Sequence, residues 1–330
     1  MAEDWTFEAL DAEIDDIRHR VLQHGRFLAS YFVGRDTEAE LMLLAAATQE
    51  PLLFAGPPGT AKSDLVLKFV ESLGLGGEDY FEYMLTKFTE PSEILGPIDI
   101  AQLKDGRFRR RTRGMLPEAK VVFLDEIFKS NSAILNTLLT IVNERKFYQD
   151  GAPEPVQLRL LFAATNDIPE QSELVALSDR FVLKVETRPV KERHFEALID
   201  AGMRTEASRA LSQRPWADGP ASFIDFLKLK RYLDLHFAES GRLGDHARWF
   251  PPAIFAELRR IVRVLETEDQ VYVSDRKAVK IYKLIRARAF LHHGGAVQAG
   301  DLRVLRYVGN RRAELPIVEE KVNSLLGLDG

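Results

Sequence analysis

The chain has 330 residues, enough for two compact units that each bury a core. With 45% hydrophobic and 29% charged residues it has the make-up of an ordinary globular protein, and a net charge of −5 excludes a global field that would draw nucleic acid or membrane. The absence of cysteine excludes disulfides and thiolate metal sites and fits a reducing cytoplasm.

The N-terminal stretch MAEDWTFEALDAEIDD is acidic and amphipathic, without the basic-then-apolar order of a signal peptide. No apolar run approaches the ~20 residues needed to span a bilayer, so a cytoplasmic protein without membrane contact is expected. Phe7, Leu10, Ile14, Ile17, Val21, Leu22 and Leu28 fall at helical spacing, and a second helix is predicted from Thr37 to Ala47. Short apolar runs bounded by breakers follow at Leu52 to Ala55, Tyr80 to Leu85, Val121 to Leu124, Leu158 to Ala164 and Phe181 to Val185. Helical patterns lie between them at Lys62 to Leu73 and Ser130 to Asn143. Buried strands alternating with helices predict a five-stranded parallel sheet covered on both faces, an αβα core. Asp105-Gly106 and Asp150-Gly151 are hairpin-turn signals that predict two β-hairpin insertions. After Pro189 the pattern is helical at 191–211, 222–237, 252–265, 275–292 and 299–311, which predicts a core over 1–188 and an all-helical lid domain over 189–330. His292 and His293 are adjacent and point apart on a helix, a poor arrangement for a metal.

The first strand leads into GPPGTAKS, comprising Gly56, Pro57, Pro58, Gly59, Thr60, Ala61, Lys62 and Ser63, with Asp64 next as the helix begins. Glycines let backbone N–H groups curl around phosphate oxygens, and the helix N-terminus adds partial positive charge. Lys62 supplies a point charge for the β- and γ-phosphates and Ser63 a hydroxyl for Mg²⁺. Ala61 stands where G-x-x-x-x-G-K-[ST] has its second glycine, which is tolerable if its φ is negative. VVFLDEI is a buried strand ending in Asp125, placed to hold Mg²⁺, and Glu126, placed to polarise an attacking water. The next strand ends at Asn166, whose amide either orients that water or caps the turn Asn166-Asp167-Ile168-Pro169. In LSDRF, Arg180 is either a local partner of Asp179 or an arginine finger reaching a neighbouring subunit. Ser274 is the predicted N-cap of a lid helix whose first turn carries Arg276. A cation there opposes the helix dipole unless phosphate offsets it, so Arg276 reads as a nucleotide sensor.

The stretches GPPGTAKS, LTKFTEPSEILGPIDI, GMLPEAKVVFLDEIFKSNSAILNTLLTIVNER, FAATNDIPE and YVSDRKAVK resemble the MoxR group of AAA+ ATPases, and within it most the RavA branch, over roughly residues 30 to 310. Ala61 in the phosphate loop is what that group looks like. The resemblance implies a P-loop NTPase (AAA+) fold, with the two hairpins as the helix-2 insert and the pre-sensor-1 hairpin. It also implies hexameric rings with ATP and Mg²⁺ at subunit interfaces, and chaperone-like maturation of a client protein complex, often with a von Willebrand factor A-domain partner. RavA-like proteins carry a further client-binding region, for which 330 residues are expected to leave no room. Tyr31-Phe32-Val33-Gly34-Arg35 resembles the segment that covers the base, through Val33 and Gly34, and reads equally as ordinary packing of aromatics.

Residues 107–113, RFRRRTR, place Arg109, Arg111 and Arg113 on one side of a strand. That face would meet an acidic client segment or nucleic-acid phosphates, or be engaged in salt bridges. A nucleic-acid-stimulated motor, a nucleotide-gated scaffold and a chelatase motor subunit are therefore the alternatives. Arg276, Lys280, Lys283 and Arg286 read as a solvated lid face.

Overall fold

The computed structural model describes residues 5–168 and 172–328. Its elements run α1 (Phe7–Asp11), α2 (Ile14–Ala29), α3 (Asp36–Thr48), β1 (Leu52–Ala55), α4 (Lys62–Ser72), β2 (Tyr80–Met84), α5 (Pro91–Leu95), α6 (Ile100–Lys104), β3 (Val121–Asp125), α7 (Ser132–Glu144), β4 (Lys146–Gln149), β5 (Ala152–Pro155), β6 (Leu160–Thr165), α8 (Ser172–Ser178) and β7 (Leu183–Glu186). Beyond these lie α9 (Phe195–Ala210), α10 (Phe223–Leu243), α11 (His246–Trp249), α12 (Pro252–Thr267), α13 (Asp275–His293), a 3-10 helix (Ala299–Tyr307) and α14 (Glu314–Leu326). Met1–Asp4 of the acidic leader, and Pro169 of the expected Asn166–Pro169 turn, lie outside the described residues.

Five parallel strands pair in the order β2-β3-β6-β1-β7. Because successive side chains point to opposite faces, each strand feeds two cores. Leu52, Phe54, Phe123 and Phe162 join a core with α2, α3, α4 and the C-terminal helices. Leu53, Val122, Leu124 and Leu161 join another with Ile134, Leu135 and Leu138 of α7. The order places β6 between β3 and β1, so Asp125, Thr165 and Ala55 end side by side on the carboxyl edge, where open α/β sheets bind ligands.

The Asp150-Gly151 hairpin forms as expected, with φ 51° and 75° at its two turn residues joining antiparallel β4 and β5. The hairpin expected at Asp105-Gly106 does not. Asp99 caps Ala101 and Gln102, so the residues before the turn coil into α6, and only Ile98 and Arg110 pair as a bridge. The lid arginines and lysines depart from expectation too. Lys280 and Lys283 both reach the Glu50 carboxylate at 2.8 Å, and Arg286 is buried against Phe237 with a hydrogen bond to His236. Helical spacing correctly gathers them on one face, but α10 and the end of α3 cover it. Helix α14 was not expected from the pattern. His292 faces Glu40, and His293 faces Asp301.

The N-terminal helices and the helices after Pro189 pack together. His24 of α2 sits fully buried among Phe69, Phe226 and Ser72. The Ala221 N–H donates to its Nδ1 at 3.3 Å, so Nε2 carries the proton towards Ser72 Oγ, 2.9 Å away. Burial depresses its pKa to about 4, with Asp225 pulling weakly the other way. The unfolded imidazole binds its proton near 6.5, so this contribution is complete above that pH and is lost as pH falls towards 4. The window corresponds to about 3 kcal/mol. Urea unfolding at pH 7 and pH 4.5 should therefore show a smaller difference for His24→Gln than for the parent, and equal differences would refute the neutral buried imidazole.

Among the described residues no helix is long and apolar enough to cross a membrane.

Candidate nucleotide site

The loop after β1 is held from both sides. Gly56 N–H donates to Thr165 O at 3.0 Å, and Thr187 N–H to Ala55 O at 2.8 Å. At Gly56 (φ 158°) a Cβ would lie 2.3 Å from Thr187 O, so only glycine permits this approach. Gly59 has φ 79° with nothing within 4 Å of a built Cβ, so open space lies beside the loop there. Thr60 Oγ1 bonds Pro57 O and Thr187 Oγ1. Ala61 corrects the sequence reading: its φ is +61°, not negative. Left-handed backbone costs a non-glycine residue about 1–2 kcal/mol, strain stored in the loop itself.

Lys62 is buried and turns its ammonium back onto Gly56 O (2.8 Å) and Pro57 O (2.9 Å). Burial lowers its proton affinity, while Asp125 and Glu126 oppose that loss. These two carboxylates are thus electrostatic neighbours of the loop lysine, although they come from a strand two positions away. Asp125 Oδ1 accepts the Glu126 N–H at 2.8 Å, turning the chain sharply as β3 ends. Glu126 is itself left-handed (φ 52°, ψ 43°), and its Oε1 receives Asn166 Nδ2 at 2.5 Å and Lys129 Nζ at 3.0 Å. Strain at a non-glycine residue is paired here with a fixed carboxylate.

Ser63 is half-buried in the first turn of α4. Its hydroxyl and the Asp125 carboxylate are hard oxygens of the kind that Mg²⁺ would accept if phosphates and waters supplied the rest. Among the described residues there is no group of three or more acids, histidines or cysteines that could hold a metal ion. With open space at Gly59 and the Lys62 ammonium on the loop carbonyls, the residues would suit a magnesium-bound triphosphate. Asp64 points elsewhere: it pairs with Lys68 (3.0 Å) and Arg209 (2.7 Å), tying α9 to α4. Val33 lines a cavity of about 530 Å³ with Tyr31, Phe32, Trp216 and residues of α9, while Gly34 faces Val190 and His194. The alternative, packing of aromatics, is seen in Tyr31 edge-on to Phe27 and Trp216 and in Phe32 against the core, with Lys68 over the rings of Phe32 and Trp216.

Arg180 and Ser274, the cap of the helix that carries Arg276, meet at Asp179. Arg180 Nη1 is 3.7 Å from Asp179, whose carboxylate also receives Ser274 Oγ at 3.4 Å. Ser274 caps α13 through the Lys277 N–H, as expected, and Arg276 is exposed in the next turn. Arg180 Nε is buried without a hydrogen-bond partner. Beneath them Lys277 donates to Val308 O and Asn310 Oδ1, and burial lowers its pKa to about 8. Among the described residues neither Arg180 nor Arg276 is bonded to the loop at 56–63.

Sequence reasoning missed three contributors. Thr187 braces the loop, Lys129 grips Glu126, and Arg312 donates to Asn166 O at 2.9 Å. Arg312 lies in no periodic pattern, and only its place between two helices would have drawn notice.

The sheet order, the loop and the carboxyl-edge acids define a P-loop NTPase of the AAA+ class with a helical lid. Residues 19–219 match the family described as the MoxR domain in the MoxR-vWA-beta-propeller ternary systems, and residues 253–322 match an AAA lid domain. The chain belongs to the MoxR family of AAA+ ATPases. It is 31% identical over 299 residues to an uncharacterised protein of Methanocaldococcus jannaschii, covering 89% of this chain and 71% of that protein. It is 26% identical over 201 residues to the chaperone MoxR1 of Mycobacterium tuberculosis, covering 59% and 51% of the two chains. A crystal structure of a candidate ATPase from Cytophaga hutchinsonii superposes with a TM-score of 0.71 over 97% of both chains at 17% identity, a likeness of fold.

Proposed function

We propose that this chain is a Mg²⁺-dependent ATP hydrolase that works as a chaperone-like remodelling motor in the cytoplasm. Its partners would be further copies of itself in a hexameric ring and a client complex containing a von Willebrand factor A-domain protein. The family description, which names MoxR-vWA systems, supports that partner. The likeness to the RavA branch, the core–lid boundary at Arg188-Pro189 and the base-covering role of Val33 and Gly34 belong to the same reading. One observation carries it: Lys62, Asp125, Glu126 and Asn166 converge at the carboxyl ends of β1, β3 and β6.

In this reading Lys62 leaves the loop carbonyls to meet phosphate, and Ser63 and Asp125 hold Mg²⁺. Bound there, the ion would neutralise charge on the phosphate oxygens. Glu126 accepts a proton from the attacking water, and Asn166 fixes the orientation of that carboxylate. Lys62→Ala should weaken ATP binding by about 100-fold, since it removes a buried charged donor from phosphate. Fluorescent-nucleotide titration checks this, and parental affinity would refute the assignment of the loop.

The nucleic-acid alternative drew on Arg109, Arg111 and Arg113. They pair with Glu154, Asp99 and Glu78 respectively, so the observations favour the protein-remodelling reading.

A further inference from the structure

Two apolar surfaces of the chain are left open, and charges of opposite sign stand beside them. The first is a groove of about 940 Å³ between α12 and α13, walled by Phe255, Leu258 and Val262 on one side and Ala278, Val279 and Tyr282 on the other. Phe255 and Val279 lie exposed in it. Arg259 and Arg263, one turn apart on α12, also line it, and among the described residues neither has an acidic partner. Among the described residues Glu266 is the one acid in its wall.

The second surface is α9. Leu198, Ala201, Thr205 and Ser208 are half-buried and mark the side laid on the rest of the chain, but no residue of this helix is fully covered. Phe195, Ile199 and Met203 recur every four residues as an exposed stripe. At about 100° per residue, Glu196 and Asp200 fall beside that stripe. Among the described residues neither carboxylate has a basic partner. Three large apolar side chains in a row on a surface mark a contact site, and an apolar helix stripe flanked by free acids is what a groove edged by free cations accepts.

We infer that α9 of one copy of this chain seats in the α12–α13 groove of the next, with Phe195, Ile199 and Met203 filling the groove and Glu196 and Asp200 meeting Arg259 and Arg263. One contact then covers both open surfaces, whereas a helix from an outside partner in the groove would leave α9 bare. The two surfaces lie at different places on the chain, so the contact is head-to-tail and passes from copy to copy instead of ending at a pair. The groove begins one turn beyond Ser274, whose hydroxyl bonds Asp179 beside Arg180, so it belongs to the side that carries the finger. Arg209 ties α9 to Asp64, directly after the phosphate loop, so the helix belongs to the side that carries the nucleotide. Docking one on the other therefore turns the finger side of one copy towards the nucleotide side of its neighbour. This rests on the reading of the chain as an oligomer, and names the surfaces that hold the copies together.

The test follows assembly by sedimentation velocity across a range of protein concentrations with a non-hydrolysable ATP analogue, beside thermal unfolding of each variant. Arg259→Glu with Arg263→Glu, and separately Glu196→Lys with Asp200→Lys, should each raise the concentration needed for assembly by about 10- to 100-fold, because like charges then face one another across the contact. All four substitutions in one chain should bring assembly back towards the parental concentration. Melting temperatures should stay parental, since these side chains are exposed. Val279→Glu spoils the groove and Met203→Glu spoils the helix, so a mixture of the two should pair and stop at dimers. Assembly unchanged by either charge reversal, or lost and not recovered in the fourfold variant, overturns the inference. Loss with the groove variants alone would give the groove to another segment or an outside helix, and overturns it equally. A parent that stays monomeric at every concentration removes the oligomer reading itself, whereas a parent that assembles while its variants match it removes only this inference.

Discussion

Arg180→Ala is expected to lower ATP turnover by about 10³–10⁵-fold with little change in nucleotide affinity, the range seen when an arginine finger is removed. The expectation comes from where the residue lies. Arg180 meets Asp179, which Ser274 also bonds, and among the described residues these bonds do not lead to its own phosphate loop. Its ion pair is long, and its Nε is buried and unpaired, so Asp179 holds it only loosely. Under the arginine-finger proposal, such a group would serve a neighbouring subunit's site. Subunit mixing decides this: Arg180→Ala supplies an intact carboxyl edge, Glu126→Gln supplies an intact finger, and their mixture should regain hydrolysis that neither has alone. A mixture as inactive as its components would refute a finger acting between subunits.

Glu126→Gln should keep ATP binding and lower turnover by about 10²–10⁴-fold, the usual worth of a positioned general base. The substitution preserves shape, and a glutamine oxygen can still accept from Asn166 Nδ2. It removes the negative charge that draws a proton from water, and with it the pair to Lys129. Binding should persist because the loop at 56–63 and Asp125 are untouched. The measurement is phosphate release beside equilibrium binding, at protein concentrations where oligomers form. Hydrolysis at the parental rate would show that another group activates the water.

The five sheet strands were legible because each is a short apolar run between breakers, and strands buried on both faces must read that way. The loop, Asp125, Glu126 and Asn166 were legible because strand ends and spacing locate them without tertiary knowledge. What failed depended on contacts that spacing alone does not show, some local and some distant in sequence. Asp105-Gly106 carries the same turn chemistry as Asp150-Gly151, yet Asp99 caps a helix before the first and nothing comparable precedes the second. Lys280, Lys283 and Arg286 share a helix face, but Glu50 and His236, which meet them, are hundreds or tens of residues away. Ala61 misled because alanine gives no sign of a positive φ; the surrounding loop imposes it. Arg312 had no signal beyond its place between two helices, since a loop arginine acquires meaning only from what stands opposite.

The stretch after Asp105-Gly106 is stitched to the β4–β5 hairpin. Phe108 and Asp150 exchange hydrogen bonds, Arg110 N–H donates to Gln149 Oε1, and Arg109 pairs with Glu154. Two excursions from the sheet, separated by β3 and α7, therefore form a single mechanical part. Because that part is joined to the strand that ends in Asp125 and to the helix that follows Glu126, a load applied at its tip is delivered to both sides of the acidic corner at once.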